Sequence, residues 1–81
     1  MMVRPTVMGM RHLTAVIERE GDGFVAVCPE LDIASQGDTV EEARANLQEA
    51  LELFFETASE AEIRERLASE VYVTSLEVAV G

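Results

Sequence analysis

Residues 36–56, QGDTVEEARANLQEALELFFE, decide the fold, because they begin with a turn and continue as an amphipathic helix. Thr39 is a favourable N-cap residue, and Glu42 follows at the position that completes a capping box. At about 100° per residue, the apolar side chains of this stretch fall on one stripe of the helix. The stripe consists of Val40, Ala43, Leu47, Ala50, Leu51 and Phe54. We therefore predict a helix of about 18 residues, roughly 27 Å long, that covers one face of a small sheet.

The residues before this helix predict a meander of three strands. Apolar side chains alternate over residues 12–18, which predicts the first strand. Residues 20–23, EGDG, are typical of a hairpin turn, and residues 24–28 predict a second strand that Pro29 ends. After a bend, residues 33–36 predict a short third strand. The residues that share one face of each of the first two strands are Leu13, Ala15 and Ile17, and Phe24, Ala26 and Cys28.

Two more elements are predicted after the long helix. Ser59 and Glu62 form a second capping box, which opens a short helix with Ile63 and Leu67 as its apolar pair. Residues 71–80, VYVTSLEVAV, are rich in β-branched and apolar residues and predict a final strand. The element order β-β-β-α-α-β predicts an α+β fold. A right-handed crossover places the last strand beside the first, in a sheet of order 3-2-1-4 with helix on one face, an RNase H-like arrangement.

Length and patterning together predict a single domain that self-associates. A chain of 81 residues buries only about 60–65% of its unfolded surface. The helix leaves one sheet face uncovered, and that face includes either Val16, Val25 and Val27 or the residues opposite them, so we predict a homodimer or tetramer. Residues 1–10 are predicted to be a flexible N-terminal arm, with an extra edge strand given to a partner as the alternative. Residues 11–81 are predicted to form the one domain.

The charge of the chain limits its partners. Sixteen acidic residues and six arginines give a net charge of −10. Binding to a phosphate backbone requires a clustered basic patch, and these arginines are scattered, so we predict no direct nucleic-acid binding. The acidity either keeps the protein soluble or matches a basic protein partner.

The sequence also predicts a cytoplasmic location. No apolar run approaches the roughly 20 residues of a membrane span, and the N-terminal residues lack the pattern of a signal peptide. The single cysteine, Cys28, cannot form an internal disulfide, which suits a reducing compartment.

Few residues are candidates for catalysis or metal binding. His12 and Cys28 are the only imidazole and thiol, so one chain cannot assemble a zinc cluster. We interpret His12 as a surface residue rather than a base, and Cys28 as a small core residue rather than a nucleophile. A metal-dependent nuclease needs several carboxylates around two metal ions, whereas Glu18 and Glu20 lie toward the hairpin. We therefore predict no enzymatic activity, no cofactor and no metal.

Two apolar residues of the long helix fall outside its stripe. Leu53 projects on the outer face between Glu49 and Glu56, and Phe55 lies at the edge of the stripe. They either pack beneath the second helix or provide an exposed contact for a partner. The predicted partner-binding residues are Glu41, Glu49, Glu52, Leu53 and Glu56.

Several motifs in order resemble the HicB-type antitoxin family. The family pattern is an aromatic strand, a Pro-x-Leu bend, a Gly-x-Thr helix start and a Glu-Ala repeat along the helix. The matching segments are residues 23–26 (GFVA), 29–31 (PEL), 35–39 (SQGDT), 42–43 (EA) and 49–50 (EA). The resemblance covers residues 11–57. Many members have a Pro-Gly-Cys-like turn where this chain has Asp32, Ile33 and Ala34, as in a sub-branch of short stand-alone members.

This resemblance implies a partial RNase H fold without its catalytic carboxylates and a role in a toxin–antitoxin system. Members of the family bind and inhibit a small basic mRNA-cleaving toxin of the HicA type. Full-length relatives carry a C-terminal DNA-binding module, and no such module precedes Gly81 here, so we expect no operator binding by this chain alone. The alternative is an orphan homo-oligomeric HicB-like domain with a different protein or ligand partner.

Overall fold

The computed structural model describes residues 11–81, which form a three-stranded antiparallel sheet followed by two helices. The elements are β1 (Val16–Glu20), β2 (Gly23–Cys28), β3 (Ile33–Gly37), α1 (Val40–Thr57) and α2 (Glu60–Leu67). The strand order is β1-β2-β3, so β2 is the central strand. The α+β class and the meander are confirmed. The predicted flexible arm over residues 1–10 lies outside the described residues.

β1 and β2 form a hairpin with a two-residue turn, in which Glu20 pairs with Gly23. Gly21, the first turn residue, has a φ of 58°, a left-handed conformation that glycine adopts without a Cβ clash. Glycine with positive φ at this position is typical of the type II′ turn, whose twist matches that of the strands. The turn places Ile17 opposite Ala26, and both pack into the core.

α1 begins where the capping box predicts. The Glu42 N–H donates to Thr39 Oγ1 over 3.0 Å, and the Glu42 carboxylate accepts a hydrogen bond from the Asp38 N–H over 3.1 Å. On the face of the helix toward the sheet, Ala43 and Leu47 are buried. The helix makes most of its sheet contacts with β3. The predicted helix and its covering of one sheet face are confirmed.

Gly37 allows β3 to approach α1 closely. A Cβ atom at Gly37 would lie 2.5 Å from the Ala43 nitrogen, which is closer than real Cβ contacts. Next to it, Asn46 Nδ2 donates to the Gln36 carbonyl over 2.8 Å and so ties the helix to the strand. The glycine and the asparagine together seat α1 on the sheet.

The core is small and lies between the sheet, α1 and the bend after β2. Its fully buried residues are Ala26, Cys28, Leu31, Ala43 and Leu47. α2 begins at the predicted cap, where the Glu62 N–H donates to Ser59 Oγ over 3.1 Å, and its Leu67 packs against the core. Arg66 then donates to the Leu31 carbonyl over 2.7 Å. Neither helix of residues 11–81 has both the length and the apolar character that crossing a membrane requires.

Two strand predictions need correction. β1 begins at Val16 rather than at residue 12, because the Thr14 N–H donates to both oxygens of Glu30, at 3.1 Å each, and not to a neighbouring strand. Residues 71–80 form no strand in the described chain, so the predicted order 3-2-1-4, which is the RNase H-like feature, is not confirmed. β-propensity favours an extended backbone, but a strand also requires a partner for its hydrogen bonds.

Candidate partner-binding surface

A shallow groove runs along the outer side of α1, where the helix passes beside β3. Its lining residues are Ser35, Asn46, Glu49, Ala50, Glu52, Leu53 and Glu56, and we call it the acidic groove. Four of the five predicted partner-binding residues therefore lie together. The fifth, Glu41, lies in the first turn of α1 and does not line the groove.

Leu53 is the apolar centre of the acidic groove. It is 58% exposed, whereas Phe55 is partly buried and packs against the core. The Phe55 ring lies 5.4 Å from the Phe54 ring in an edge-to-face arrangement, which is a favourable aromatic geometry. The two residues that fall outside the helix stripe thus have different roles, since Phe55 contributes to folding and Leu53 remains accessible to a partner.

The charged residues that line the acidic groove are all negative. Glu49, Glu52 and Glu56 occupy neighbouring turns of one helix face, and no basic residue lines the groove. Glu52 and Glu56 are four residues apart, a spacing at which like charges destabilise a helix by a few tenths of a kcal/mol. The nearest polar support is weak, because Gln48 Nε2 lies 3.5 Å from the Glu52 carboxylate. Folding alone provides no reason for this cluster.

Ser35 and Asn46 complete the groove, and the sequence did not single them out. Ser35 belongs to β3 and Asn46 to the second turn of α1, and they line one surface because Asn46 bonds to the neighbouring Gln36 carbonyl. This pairing of strand and helix is a tertiary contact. The only local signal was a polar residue, Asn46, directly before the buried Leu47.

A second depression lies at the hairpin end of the sheet and is less suited to a partner. It is lined by Glu20, Gly23, Phe24, Val25, Gln36, Gly37, Asp38 and Glu42. Glu42 is already engaged in the helix cap. The Arg19 guanidinium also lies 4.6 Å from the centre of the Phe24 ring, which brings positive charge to this end. One of the three acidic side chains that line this depression therefore serves the fold, and an arginine lies nearby.

Glu30 organises a polar cluster at the start of the sheet. Its carboxylate accepts hydrogen bonds from Thr14 Oγ1 at 2.6 Å and from Cys28 Sγ at 3.3 Å, in addition to the Thr14 N–H. Desolvation acts to raise the pKa of Glu30, but these hydrogen bonds outweigh it and hold the pKa below its ordinary value. The cluster ties Thr14, which precedes β1, to the bend after β2.

The sequence candidates for chemistry are placed apart from the groove. Cys28 is completely buried, and burial, followed by the hydrogen bond to Glu30, raises the pKa of its thiol. A thiol in this state is a poor nucleophile. His12 is exposed. Over residues 11–81, no three or more His, Cys, Asp or Glu side chains converge in a way that could hold a metal ion.

Two cyanobacterial proteins are similar to this chain in sequence. UPF0150 protein ssl0738 of Synechocystis sp. is 47% identical over 61 residues, which is 73% of this chain and 83% of that protein. UPF0150 protein ssr1765 of the same organism is 50% identical over 48 residues, which is 57% of this chain and 61% of that protein. Neither name states an activity or a partner. No protein-family profile and no solved structure matches the chain.

Proposed function

The chain belongs to the UPF0150 family, and we propose that it is an antitoxin-like module that binds a small basic protein through the acidic groove. The partner proposed is an mRNA-cleaving toxin of the HicA type, as the resemblance of residues 11–57 to HicB-type antitoxins implies. The observation that carries the proposal is the arrangement of Glu49, Glu52 and Glu56 around the exposed Leu53.

The composition of the groove fits a protein interface. Interfaces owe most of their affinity to a few apolar anchors near the centre, surrounded by polar contacts that exclude water. Leu53 supplies such an anchor, and the three glutamates supply the charged rim. Complementary charge speeds association and rejects wrong partners, and a net charge of −10 extends this steering beyond the groove.

In this proposal the module acts by covering its partner and has no catalytic activity of its own. A basic ribonuclease binds RNA through positive charge, so an acidic surface that occupies this charge competes with the RNA phosphates. The groove lies where α1 passes beside β3, so side chains of the outer helix face would make the contact. No direct contact of this chain with nucleic acid is part of the mechanism, and a cytoplasmic site of action suits it.

The test is a binding measurement with the small basic protein encoded by the adjacent reading frame. We expect the complex to form at 50 mM salt and to weaken as added salt shortens the screening length. The triple variant Glu49→Gln, Glu52→Gln, Glu56→Gln should weaken binding by about 10- to 100-fold. Coexpression with the toxin should rank the two proteins in the same way as the binding measurement. The unaltered chain should restore growth to cells that produce the toxin, and the triple variant should not.

The matched control removes the same charge elsewhere. The control variant carries Asp22→Asn, Glu60→Gln and Glu65→Gln, three positions outside the groove. It should bind within about 3-fold of the unaltered chain, and the remaining difference would come from long-range electrostatic steering. Equal weakening by both triple variants would mean that only net charge matters. Absence of a basic neighbouring protein, or of binding to it, would sink the proposed function.

A further inference from the structure

The C-terminal residues 71–80 are a largely apolar segment that forms no helix, no strand and no sheet pairing in the described chain. Leu76 is 83% exposed and Val80 is 90% exposed. In a strand, one side of this segment would carry Tyr72, Thr74, Leu76, Val78 and Val80. A β-prone segment with an apolar side of this kind is typical of a strand with that side buried, so the exposed state leaves the pattern unexplained.

The segment lies away from the body of its own chain. The radius of gyration is 15.8 Å, against about 12 Å for a compact domain of this length. None of its residues belongs to the core or packs against it. α2 is held by the Arg66 hydrogen bond to Leu31, whereas residues 71–80, which follow it, are all exposed.

The sheet has a free edge at β1. β1 pairs only with β2, and its other side has no neighbour in the described chain. β3, the opposite edge, is instead covered by α1 and tied to it by Asn46. Beside the free edge lie apolar side chains on both faces, namely Ile17 toward the core and the 39% exposed Val16 on the open face. A further strand here would continue both apolar surfaces.

We propose that residues 71–80 of one chain pair with the β1 edge of a second copy, giving a symmetric strand-exchanged dimer. Within residues 11–81, an unpaired β-prone segment and a free sheet edge occur once each, so a two-fold axis satisfies both at equal stoichiometry. Pairing provides hydrogen bonds for the β1 edge and buries the Leu76 side of the segment beside Ile17. Edge strands left open are sites of such pairing. The inference is independent of the proposed toxin partner.

The test combines mass and amide protection in the full-length protein. Light scattering should give twice the 8.9 kDa chain mass. Hydrogen exchange should show the amides of residues 71–80 and of β1 protected together. Leu76→Asp with Val78→Asp should return the mass to one chain, raise the dimer dissociation constant by at least about 100-fold and expose both sets of amides. Retained helical circular dichroism would show that this variant folds.

The control is Ser75→Asp with Ala79→Asp, which adds the same charge to the other side of the segment and should leave the dimer intact. Added salt should preserve or strengthen the dimer, because it screens the repulsion between two chains of charge −10. Salt weakens the acidic groove's binding of a basic partner, so failure of one proposal is distinguishable from failure of the other. A monomer with protected residues 71–80 would mean that the segment pairs within its own chain. A monomer without protection, or a dimer without it, also overturns the exchange.

Discussion

The two faces of α1 place leucines in opposite environments. Leu47 is 1% exposed and packs between the sheet and the bend after β2, while Leu53, on the same helix, is 58% exposed among three carboxylates. Both residues have the same helix propensity, so local conformation does not separate them. The difference is what each one touches. On the inner face leucine stabilises the fold, and on the outer face it is left available for binding.

Leu47→Ala is the largest expected disruption of the inner face. It leaves a cavity at the centre of the core and should lower the free energy of unfolding by about 2–5 kcal/mol. Denaturant unfolding at a fixed protein concentration measures the loss. In a domain this small, the variant should be mostly unfolded at 37 °C. A loss below about 1 kcal/mol would contradict the packing described for this residue.

Gly37→Ala tests the seat of α1 on the sheet. The added Cβ meets the Ala43 nitrogen at 2.5 Å, and backbone atoms cannot move as freely as the end of a flexible side chain. We expect a loss of about 1–3 kcal/mol in the free energy of unfolding. Gly81→Ala, where a Cβ meets nothing within 4 Å, is the matched control and should leave stability unchanged. Equal stability of the two variants would show that the helix can shift at no cost.

Glu30→Gln tests the hydrogen bonds that the Glu30 carboxylate accepts from Thr14 and Cys28. Glu30 directly precedes Leu31, which is buried against the inner face of α1. The folded-state pKa of Glu30 is lowered, so its stabilising contribution is present above the unfolded value of about 4.5 and is lost as the pH falls through the folded value. The variant should therefore be less stable by about 1 kcal/mol at pH 7. The difference from the unaltered chain should shrink below pH 4.5. Thermal unfolding of both proteins from pH 7 to pH 3 would measure it, and a constant difference would contradict the assignment.

Leu53→Ala is the smallest expected change in stability and the sharpest contrast with Leu47→Ala. Because Leu53 is largely exposed, its truncation should change the free energy of unfolding by no more than about 0.5 kcal/mol. Binding to the basic partner should nevertheless weaken by about 10-fold, as removal of a central apolar anchor does. Isothermal titration beside denaturant unfolding measures the two effects. A stability loss matching that of Leu47→Ala would place Leu53 in the core and remove it from the site.

Local signals predicted most of the fold because they act within a few residues. The capping hydroxyls of Thr39 and Ser59 each accept the expected N–H, and the stripe of α1 places Ala43 and Leu47 against the sheet. The predicted start of β1, at residue 12, was four residues too early, because the Thr14 N–H donates to the carboxylate of Glu30. Glu30 lies 16 residues away in the sequence, so the alternation of apolar residues in the first strand could not reveal this contact.

The candidate site was predictable in part. Glu49, Glu52, Leu53 and Glu56 were singled out because they share the outer helix face, and helical spacing alone brings them together. Glu41 belongs to the same helix but lies in the first turn and outside the groove. The groove forms on the side of α1 that lies next to β3. The position of β3 relative to α1 depends on the close approach at Gly37 and on the Asn46 hydrogen bond.

The order of residues alone was sufficient for the meander, the two capped helices and the inner stripe of α1, because propensity, capping and periodicity are properties of neighbouring residues. The tertiary structure decided the remaining questions. It separated Phe55 from Leu53, joined Ser35 and Asn46 to the acidic groove, and left residues 71–80 without a strand to pair with. Each of these outcomes depends on a surface supplied by a distant part of the chain. A segment's own sequence can specify a β-strand, but it cannot specify the edge that the strand will join.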